Sequence, residues 1–202
     1  MKSPVPRNFF NDDTPTMARK LLGTCLIHDT DEGRTVGRIA ETEAYLSEND
    51  PACHAHKGQT ERNAAMFGPP GHAYIYFIYG MYECFNVVTA RRGKGEAVLI
   101  RALEPVEGIE LMQRRRKIAD LHQLCSGPGK LVLAMGISRK LSTCPLFKGA
   151  LTIWPRGSFG TPREEPEIVA TPRIGITAAA DLPLRFYIKG SPFASRRCKA
   201  GN

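Results

Sequence analysis

Two carboxylates stand two residues apart in the stretch GRIAETEAY, at Glu41 and Glu43. Side chains alternate between the faces of a β-strand, so we expect Ile39, Glu41, Glu43 and Tyr45 to share one face, with the carboxylates about 7 Å apart. A pair of carboxylates can hydrolyse a glycosidic bond, since one protonates the leaving group while the other handles water or the cation. In the alternative interpretation, the strand leaves the core here and both glutamates are solvated.

Tyrosines are concentrated in the segment YIYFIYGMY, which holds four of the six in the chain. We expect a β-hairpin here, in which HAYIYFIY turns near Gly80 into MYECFNVVTA. Tyr76 and Tyr79 are three positions apart, so they point to opposite sides of a regular strand, and one can line a pocket while the other projects. Tyr74 and Tyr82 are expected to pack on the sheet or at its edge.

The motif CHAH, with Cys53, His54 and His56, is the one candidate in the sequence for a metal site. Histidine and cysteine are zinc ligands, but no fourth ligand is evident. We therefore expect His54 to form hydrogen bonds or to stack, and His56 to lie exposed in a loop. The six cysteines form no CxxC pair, which argues against a zinc ribbon or a redox dithiol. These observations predict no metal and no cofactor.

Basic residues outnumber acidic ones, 28 to 20, which gives a formal net charge of +8 and a pI near 9.3. Such an excess favours a polyanionic partner, of which nucleic acid is the commonest. The turn SGPGK combines free N–H groups at a predicted helix start with Lys130, so it is a candidate phosphate site. Three further basic clusters either contact phosphates or keep the protein soluble: Arg91-Arg92-Lys94, Arg114-Arg115-Arg116-Lys117 and Arg196-Arg197-Lys199.

Four helical segments are predicted from capping residues, proline positions and apolar spacing. They are TPTMARKLLG with Thr14 as cap, QTERNAAMFGPPG with Thr60 as cap, EPVEGIELMQRRRKIA starting at Pro105, and SGPGKLVLAMGI with Ser126 as cap. Strands are predicted in TCLIHD, TVGRIAETEAYL, the two arms of the hairpin, EAVLIRALEP, ALTIW, RIGIT and PLRFYIKG. Many short strands with few helices indicate a single α+β domain.

We place this domain at residues 14–195, between a flexible N-terminal arm at 1–13 and a basic C-terminal tail at 196–202. The sequence contains no apolar run of 18 or more residues, and its first residues lack the apolar core of a signal peptide. We therefore expect no contact with a membrane and an intracellular location, in a bacterial cytoplasm or, in a eukaryote, a nucleus.

Several motifs, in their order along the chain, resemble the alkyladenine (methylpurine) DNA glycosylase family. They are IAETEAY, ACHAH, TERNAAMFG, GHAYIYFIYGMYECFNVV, LIRALEP, CSGPGKL and LRFYIKGSPF, and the similarity extends from about Thr14 to Phe193. Members of this family remove damaged purines from DNA. The resemblance implies one compact α+β domain on a curved, largely antiparallel sheet, with flanking helices and a protruding β-hairpin.

The resemblance also implies roles for individual residues. The family's catalytic acidic residue falls on Glu43, and Arg101 is implied to lie near the water and the DNA backbone. The remaining implied roles are those of pocket side chains, on Tyr45, His54, Tyr76 and Asn86, and of the wedge that enters the duplex, on Tyr79. Arg62 and Lys130 are our candidates for contacts with the DNA backbone.

Asn86 has two interpretations at this stage. Placed against the edge of a base, it would clash with the 2-amino group of normal guanine and reject it. In the alternative, it is a buried strand asparagine bonded to the backbone.

We therefore expect a monomeric, monofunctional glycosylase of the DNA-3-methyladenine glycosylase II type that acts in base excision repair. It would flip damaged purines out of double-stranded DNA (3-methyladenine, 7-methylguanine, hypoxanthine and ethenoadenine), and Glu43 would activate the water that hydrolyses the N-glycosidic bond. Two alternatives remain at this stage. One is a protein that binds damaged DNA without catalysis, and the other is a nucleoside or glycoside hydrolase that uses Glu41 and Glu43.

Overall fold

One curved antiparallel sheet dominates the structure, a computed structural model that describes residues 3–78 and 82–195. Within these residues its eight strands are β1 (Cys25–Thr30), β2 (Gly33–Tyr45), β3 (Ala73–Ile78), β4 (Tyr82–Val88), β5 (Ala97–Glu107), β6 (Leu151–Trp154), β7 (Ile168–Thr171) and β8 (Arg185–Ile188). Their order is β3-β4-β5-β2-β1-β6, and the β7–β8 pair joins the sheet through β2. With the few helices around it, this sheet confirms the predicted α+β class.

Strand β2 is the longest strand and changes its neighbour part-way along. Its first half pairs with β1, its last residues pair with β8 on that side, and β5 pairs with it along the other side. Ile39 is opposite Leu103 and Glu41 is opposite Ala102, so Ala40 is an extra residue that forms a bulge. A bulge resets the alternation of faces. Ile39 therefore lies in the main core, and the prediction that it shares the face of Glu41 and Glu43 is wrong.

Four α-helices cover the sheet within the described residues: α1 (Thr14–Leu21), α2 (Ile109–Arg116), α3 (Leu121–Leu124) and α4 (Pro128–Met135). The predicted helices at α1 and α4 are confirmed, but their caps differ by one residue. Asp13 caps α1, since its carboxylate accepts a hydrogen bond from the N–H of Thr16 over 3.1 Å. Gly127 takes the cap position before α4, with Pro128 in the first turn as predicted. The helix predicted from Thr60 is only a short 3₁₀-helix, Ala64–Phe67.

Two further predictions about local structure are wrong. Strand β5 continues through Pro105, which lies beside a register irregularity where its missing N–H is tolerated. Helix α2 begins only after Gly108, whose φ is +73° and where a Cβ atom would lie 2.2 Å from the carbonyl oxygen of Arg34. The segment RIGIT forms no strand, because its polar groups serve the site described below.

Residues 3–13 pack against the domain, whereas a flexible arm was expected there. Val5 and Phe10 are buried, and the N–H of Val5 donates a hydrogen bond to the carbonyl of Ile153 over 2.9 Å. The basic tail at 196–202 lies outside the described residues.

The described residues form three apolar clusters, two of which bear on the site. The larger one packs α1 and α4 against the sheet and includes Phe10, Leu21, Ile100 and Leu131. The smaller one lies around Tyr74, with the partly buried rings of Tyr45 and Tyr76 packed against it. No helix within residues 3–78 and 82–195 is long and apolar enough to cross a membrane.

Candidate active site

A cavity of about 330 Å³ opens beside the smaller cluster, where β2, β3, β4 and β5 run next to one another. Five of the residues predicted for the site line it together: Tyr45, His54, Tyr76, Asn86 and Arg101. Met66, Leu99 and Pro128 add apolar surface, and Ile174 closes one side from the segment before β8. The volume falls within the usual range for small-molecule sites, and the lining combines aromatic rings with a few polar groups.

Glu43 lies behind this lining and has no exposed surface. Its Oε2 accepts hydrogen bonds from the phenol of Tyr45 over 2.9 Å and from Nη1 of Arg101 over 3.2 Å. Its Oε1 accepts from the backbone N–H of Ile174 over 2.8 Å. The interpretation in which Glu43 is solvated is therefore wrong. Three donors compensate the burial of the negative charge, and all three belong to residues that line the cavity.

Glu41 is also fully buried, and it forms a charged network with two arginines. Its Oε1 accepts from Nε of Arg101 over 3.2 Å and from Nε of Arg185, and its Oε2 accepts from the N–H of Ser195. Arg101 thus bridges the two glutamates. Burial disfavours the charge of Arg101, but Glu43 and Glu41 outweigh that effect and raise its pKa. Glu41 therefore supports the position of Arg101.

The aromatic side chains in the cavity wall contact and position one another. Nδ1 of His54 is 2.9 Å from the phenol oxygen of Tyr74, and the imidazole ring meets Tyr76 edge-on, with ring centroids 4.4 Å apart. Burial lowers the pKa of His54, and the charge of Arg62 lowers it further. Burial also raises the pKa values of Tyr45 and Tyr76, so both phenols are protonated at neutral pH. The walls are therefore uncharged.

Asn86 fits both of its interpretations. It is buried, and its amide nitrogen donates to the carbonyls of Tyr74 over 3.0 Å and Cys84 over 3.4 Å. The same side chain lines the cavity. Its orientation is therefore fixed by the backbone at a point where a bound molecule can meet it.

A second buried ion pair, between Asp50 and Arg173, was not predicted from the sequence. Both side chains are fully buried, and the guanidinium binds both carboxylate oxygens, at 2.6 and 2.7 Å. The Cζ atom of Arg173 also lies 4.7 Å from the centroid of Tyr45. A signal was available, because buried carboxylates require cationic partners and arginines stand among apolar residues in PRIGI and PLRFY.

The basic residues predicted to contact the DNA backbone differ in their surroundings. Arg62 is exposed, and its Nη2 donates to the carbonyl of Phe77 on β3 over 3.1 Å. Lys130 lies in the first turn of α4, where Nζ donates to Gln123 over 2.9 Å and to Ser126 over 3.2 Å. Arg91 and Arg92 are exposed, whereas Arg115 is partly buried and pairs with Glu32 at 2.7 Å.

Tyr79, the predicted wedge, lies outside the described residues, as do Arg196, Arg197 and Lys199. On either side of that gap, Phe77 and Tyr82 are among the exposed large apolar side chains, with 38% and 51% of their surface exposed. The described part of the hairpin therefore presents aromatic surface to solvent.

The three candidate ligands of the CHAH motif lie in different surroundings. The thiol of Cys53 is buried against the carbonyl of Gly95, His54 belongs to the cavity wall and His56 is exposed. In residues 3–78 and 82–195 no three His, Cys, Asp or Glu side chains form a group that could hold a metal ion.

Comparison with known proteins identifies the family. A family model described as methylpurine-DNA glycosylase matches residues 8–192. The chain belongs to the methylpurine-DNA glycosylase family. Membership makes it a DNA glycosylase that processes damaged DNA, and it implies base flipping.

Relatives of this chain are similar to it over nearly their whole length. A protein of Methanoculleus marisnigri is 54% identical over 194 residues, 96% of this chain and 99% of its own. One of Carboxydothermus hydrogenoformans is 47% identical over 193 residues with the same coverage. One of Methanocella arvoryzae is 48% identical over 198 residues, 96% of each chain. All three are provisionally named 3-methyladenine DNA glycosylases.

Proposed function

We propose that the protein is a monofunctional DNA glycosylase that flips alkylated or deaminated purines out of duplex DNA and hydrolyses the N-glycosidic bond with water activated by Glu43. Its substrates would be 3-methyladenine, 7-methylguanine, hypoxanthine and ethenoadenine. The observation that carries the proposal is a cavity with uncharged aromatic walls next to a buried carboxylate, which is hydrogen-bonded to three lining residues, Tyr45, Arg101 and Ile174.

The proposed reaction is a displacement at C1′ of the flipped nucleotide. The bond from C1′ to the base nitrogen breaks, and its electron pair leaves with the base. A lone pair of water forms the new bond to C1′, and the proton of the water passes to Glu43. The negative charge of Glu43 also stabilises the cationic sugar of the transition state. A positioned base of this kind accelerates hydrolysis by about 10²–10⁴-fold.

The geometry favours Oε1 of Glu43 as the basic oxygen. It accepts one hydrogen bond, whereas Oε2 accepts two, so Oε1 has more capacity for water. Glu43 has no exposed surface, so one partner must shift before water reaches it. We assign this movement to the segment that contains Ile174, because its backbone N–H is the hydrogen-bond partner of Oε1 and Ile174 lines the cavity.

The flipped base would lie between Tyr45 on one side and Tyr76 with His54 on the other. Asn86 would meet the edge of the base, where the 2-amino group of a normal guanine would clash with it. Tyr79 would fill the vacancy in the duplex, as expected for an inserted side chain that unstacks and kinks DNA. Among the described residues no lysine lines the cavity, so the proposal includes no Schiff base and the product is an abasic site in an intact strand.

The test is product analysis on duplex oligonucleotides that contain a single hypoxanthine or 3-methyladenine. The proposal predicts that free base appears, that the strand stays intact, and that the strand breaks at the lesion on heating in alkali. Binding of lesion DNA without base release would favour the non-catalytic alternative. Equal activity on free nucleosides would favour a nucleoside hydrolase. Strand cleavage without alkali would contradict the monofunctional mechanism.

A further inference from the structure

One face of Tyr45 is already occupied by a cation. The guanidinium of Arg173 lies over the ring, 4.7 Å from its centroid, which is within the usual distance of a cation–π contact. The Arg173 side chain has no exposed surface and is not part of the cavity lining, whereas Tyr45 is. The ring therefore separates a buried positive charge from the cavity.

Arg173 is paired with a carboxylate, but one of its donors makes no hydrogen bond within residues 3–78 and 82–195. Asp50 binds it through both carboxylate oxygens, and the carbonyls of Ala44 and Ala179 accept from it at 3.0 and 3.4 Å. Its Nε is buried without a hydrogen-bond partner among the described residues. Asp50 binds the edge of the guanidinium through both Nη atoms, and the ring of Tyr45 lies against its face.

This arrangement bears on the electrostatics of the flipped base. The negative face of an aromatic ring attracts a cation, and this attraction would help a slot to select cationic alkylpurines such as 7-methylguanine. A cation on the opposite face weakens that attraction and repels a second positive charge across the ring. A neutral purine, such as hypoxanthine or ethenoadenine, stacks on the same ring without this repulsion.

We propose that Arg173 is a specificity-determining residue, which weakens the attraction of the Tyr45 wall for cationic purines and so favours neutral purine lesions relative to them. The inference rests on the proposed function, because it assumes that a flipped base stacks on Tyr45. Asp50 sets the strength of the effect, because its negative charge offsets the guanidinium. Arg173 acts through Tyr45 and does not itself touch the base.

The test measures lesion binding in a Glu43→Gln background, in which the proposed function predicts slow base release. One duplex carries ethenoadenine, which is neutral, and the other carries 2′-fluorinated 7-methylguanine, which is cationic and resists hydrolysis. Dissociation constants are measured for three variants: Asp50→Asn, Arg173→Met combined with Asp50→Asn, and Arg173→Lys. The double variant removes both charges, so no unpaired carboxylate is left buried.

The double variant and Asp50→Asn are expected to shift the ratio of the two affinities in opposite directions. The double variant should increase affinity for the cationic lesion relative to the neutral one by about three- to tenfold, and Asp50→Asn alone should decrease it by a similar factor. Arg173→Lys, which retains the charge, should keep the ratio of the parent.

A purely structural role would contradict the inference in a recognisable way. It would weaken binding of both lesions together, in Asp50→Asn and in the double variant alike, and leave the ratio unchanged. If the parent protein prefers neither lesion over undamaged duplex, the proposed function fails and the inference fails with it. If the parent does prefer lesions but the ratio does not move, the inference alone is overturned. Thermal unfolding of each variant checks that the fold is retained.

Discussion

The phenol of Tyr45 donates a hydrogen bond of 2.9 Å to Glu43, two residues before it on the same strand. Burial raises the pKa of this phenol, and the charge of Glu43 and the hydrogen bond raise it further, so Tyr45 is a permanent donor at neutral pH. One side chain therefore holds the carboxylate through its oxygen and offers its ring to the cavity. The binding surface and the proposed base are therefore directly connected.

Replacing Tyr45 by phenylalanine is expected to separate the contribution of its ring to binding from the contribution of its hydroxyl to catalysis. The ring remains, so affinity for lesion DNA should change by less than about threefold, while loss of a hydrogen bond to a charged group lowers the rate of base release by about 10- to 100-fold. Single-turnover rates and dissociation constants on the same duplex measure the two effects. A variant that loses affinity but keeps the wild-type rate would contradict the assigned contact.

Glu41→Gln is expected to lower the free energy of unfolding by about 3 kcal/mol, because it leaves the charges of Arg185 and Arg101 incompletely paired in the interior. The matched control is Glu32→Gln, which breaks an ion pair of Arg115 whose carboxylate is 65% exposed and should cost less than about 1 kcal/mol. Urea unfolding of both variants measures the difference. Equal losses would show that Glu41 is not essential to the network.

The free energy of unfolding should decrease as the pH is lowered, because His28 takes up a proton more readily in the unfolded chain. Burial lowers its pKa below the ordinary 6.5; Arg115 lowers it further, against opposing contributions from the Met135 carbonyl and Asp29. The unfolded chain therefore binds a proton first, and the free energy of unfolding decreases as the pH falls from about 6.5 through the folded pKa. His28→Gln retains a donor for the carbonyl of Met135, 2.8 Å away. Urea unfolding at about pH 7.5 and about pH 5 should show a smaller decrease in this variant, and an unchanged decrease would exclude His28 as the cause.

Lys130→Gln tests the proposed phosphate contact at the start of α4. Lys130 binds two neutral oxygens, and no carboxylate among the described residues pairs with it, so its charge is available to DNA. Its loss should reduce the slope of log affinity against log salt by about 1, whatever the base in the duplex. Arg34→Gln is the control, since Arg34 is paired with Asp29 at 2.7 Å and lies nine positions along β2 from Glu43. Equal slopes for both variants would contradict the assignment.

Local sequence patterns predicted most of the strands, because their apolar alternation and turn residues lie close together in the chain. The strand around Glu43, the two strands on either side of Gly80 and the helix after SGPGK are all confirmed. Pro105 was misleading, because proline suits the first turn of a helix and also the irregular part of a strand. The choice between these two structures depends on the pairing of β5 with β2, and this long-range contact is not visible in the local sequence.

The buried charges of the site could not be predicted for a similar reason. Glu41 and Glu43 resemble the end of a strand that leaves the core, and their burial depends on Arg101, Arg185 and Ser195, which lie up to 154 positions away. The segment RIGIT has the composition of a strand. It remains irregular because the backbone of Ile174 and the side chain of Arg173 bind Glu43 and Asp50.

The central claim is that Glu43 is the base of a hydrolytic DNA glycosylase. The most direct measurement is the single-turnover release of hypoxanthine and 3-methyladenine from duplex DNA by wild type and by Glu43→Gln, with binding of the same duplexes as the control. The account predicts that wild type releases both bases and that the variant binds both duplexes but releases bases at least about 100-fold more slowly. A Glu43→Gln variant that binds the duplexes and keeps the wild-type rate would contradict the mechanism.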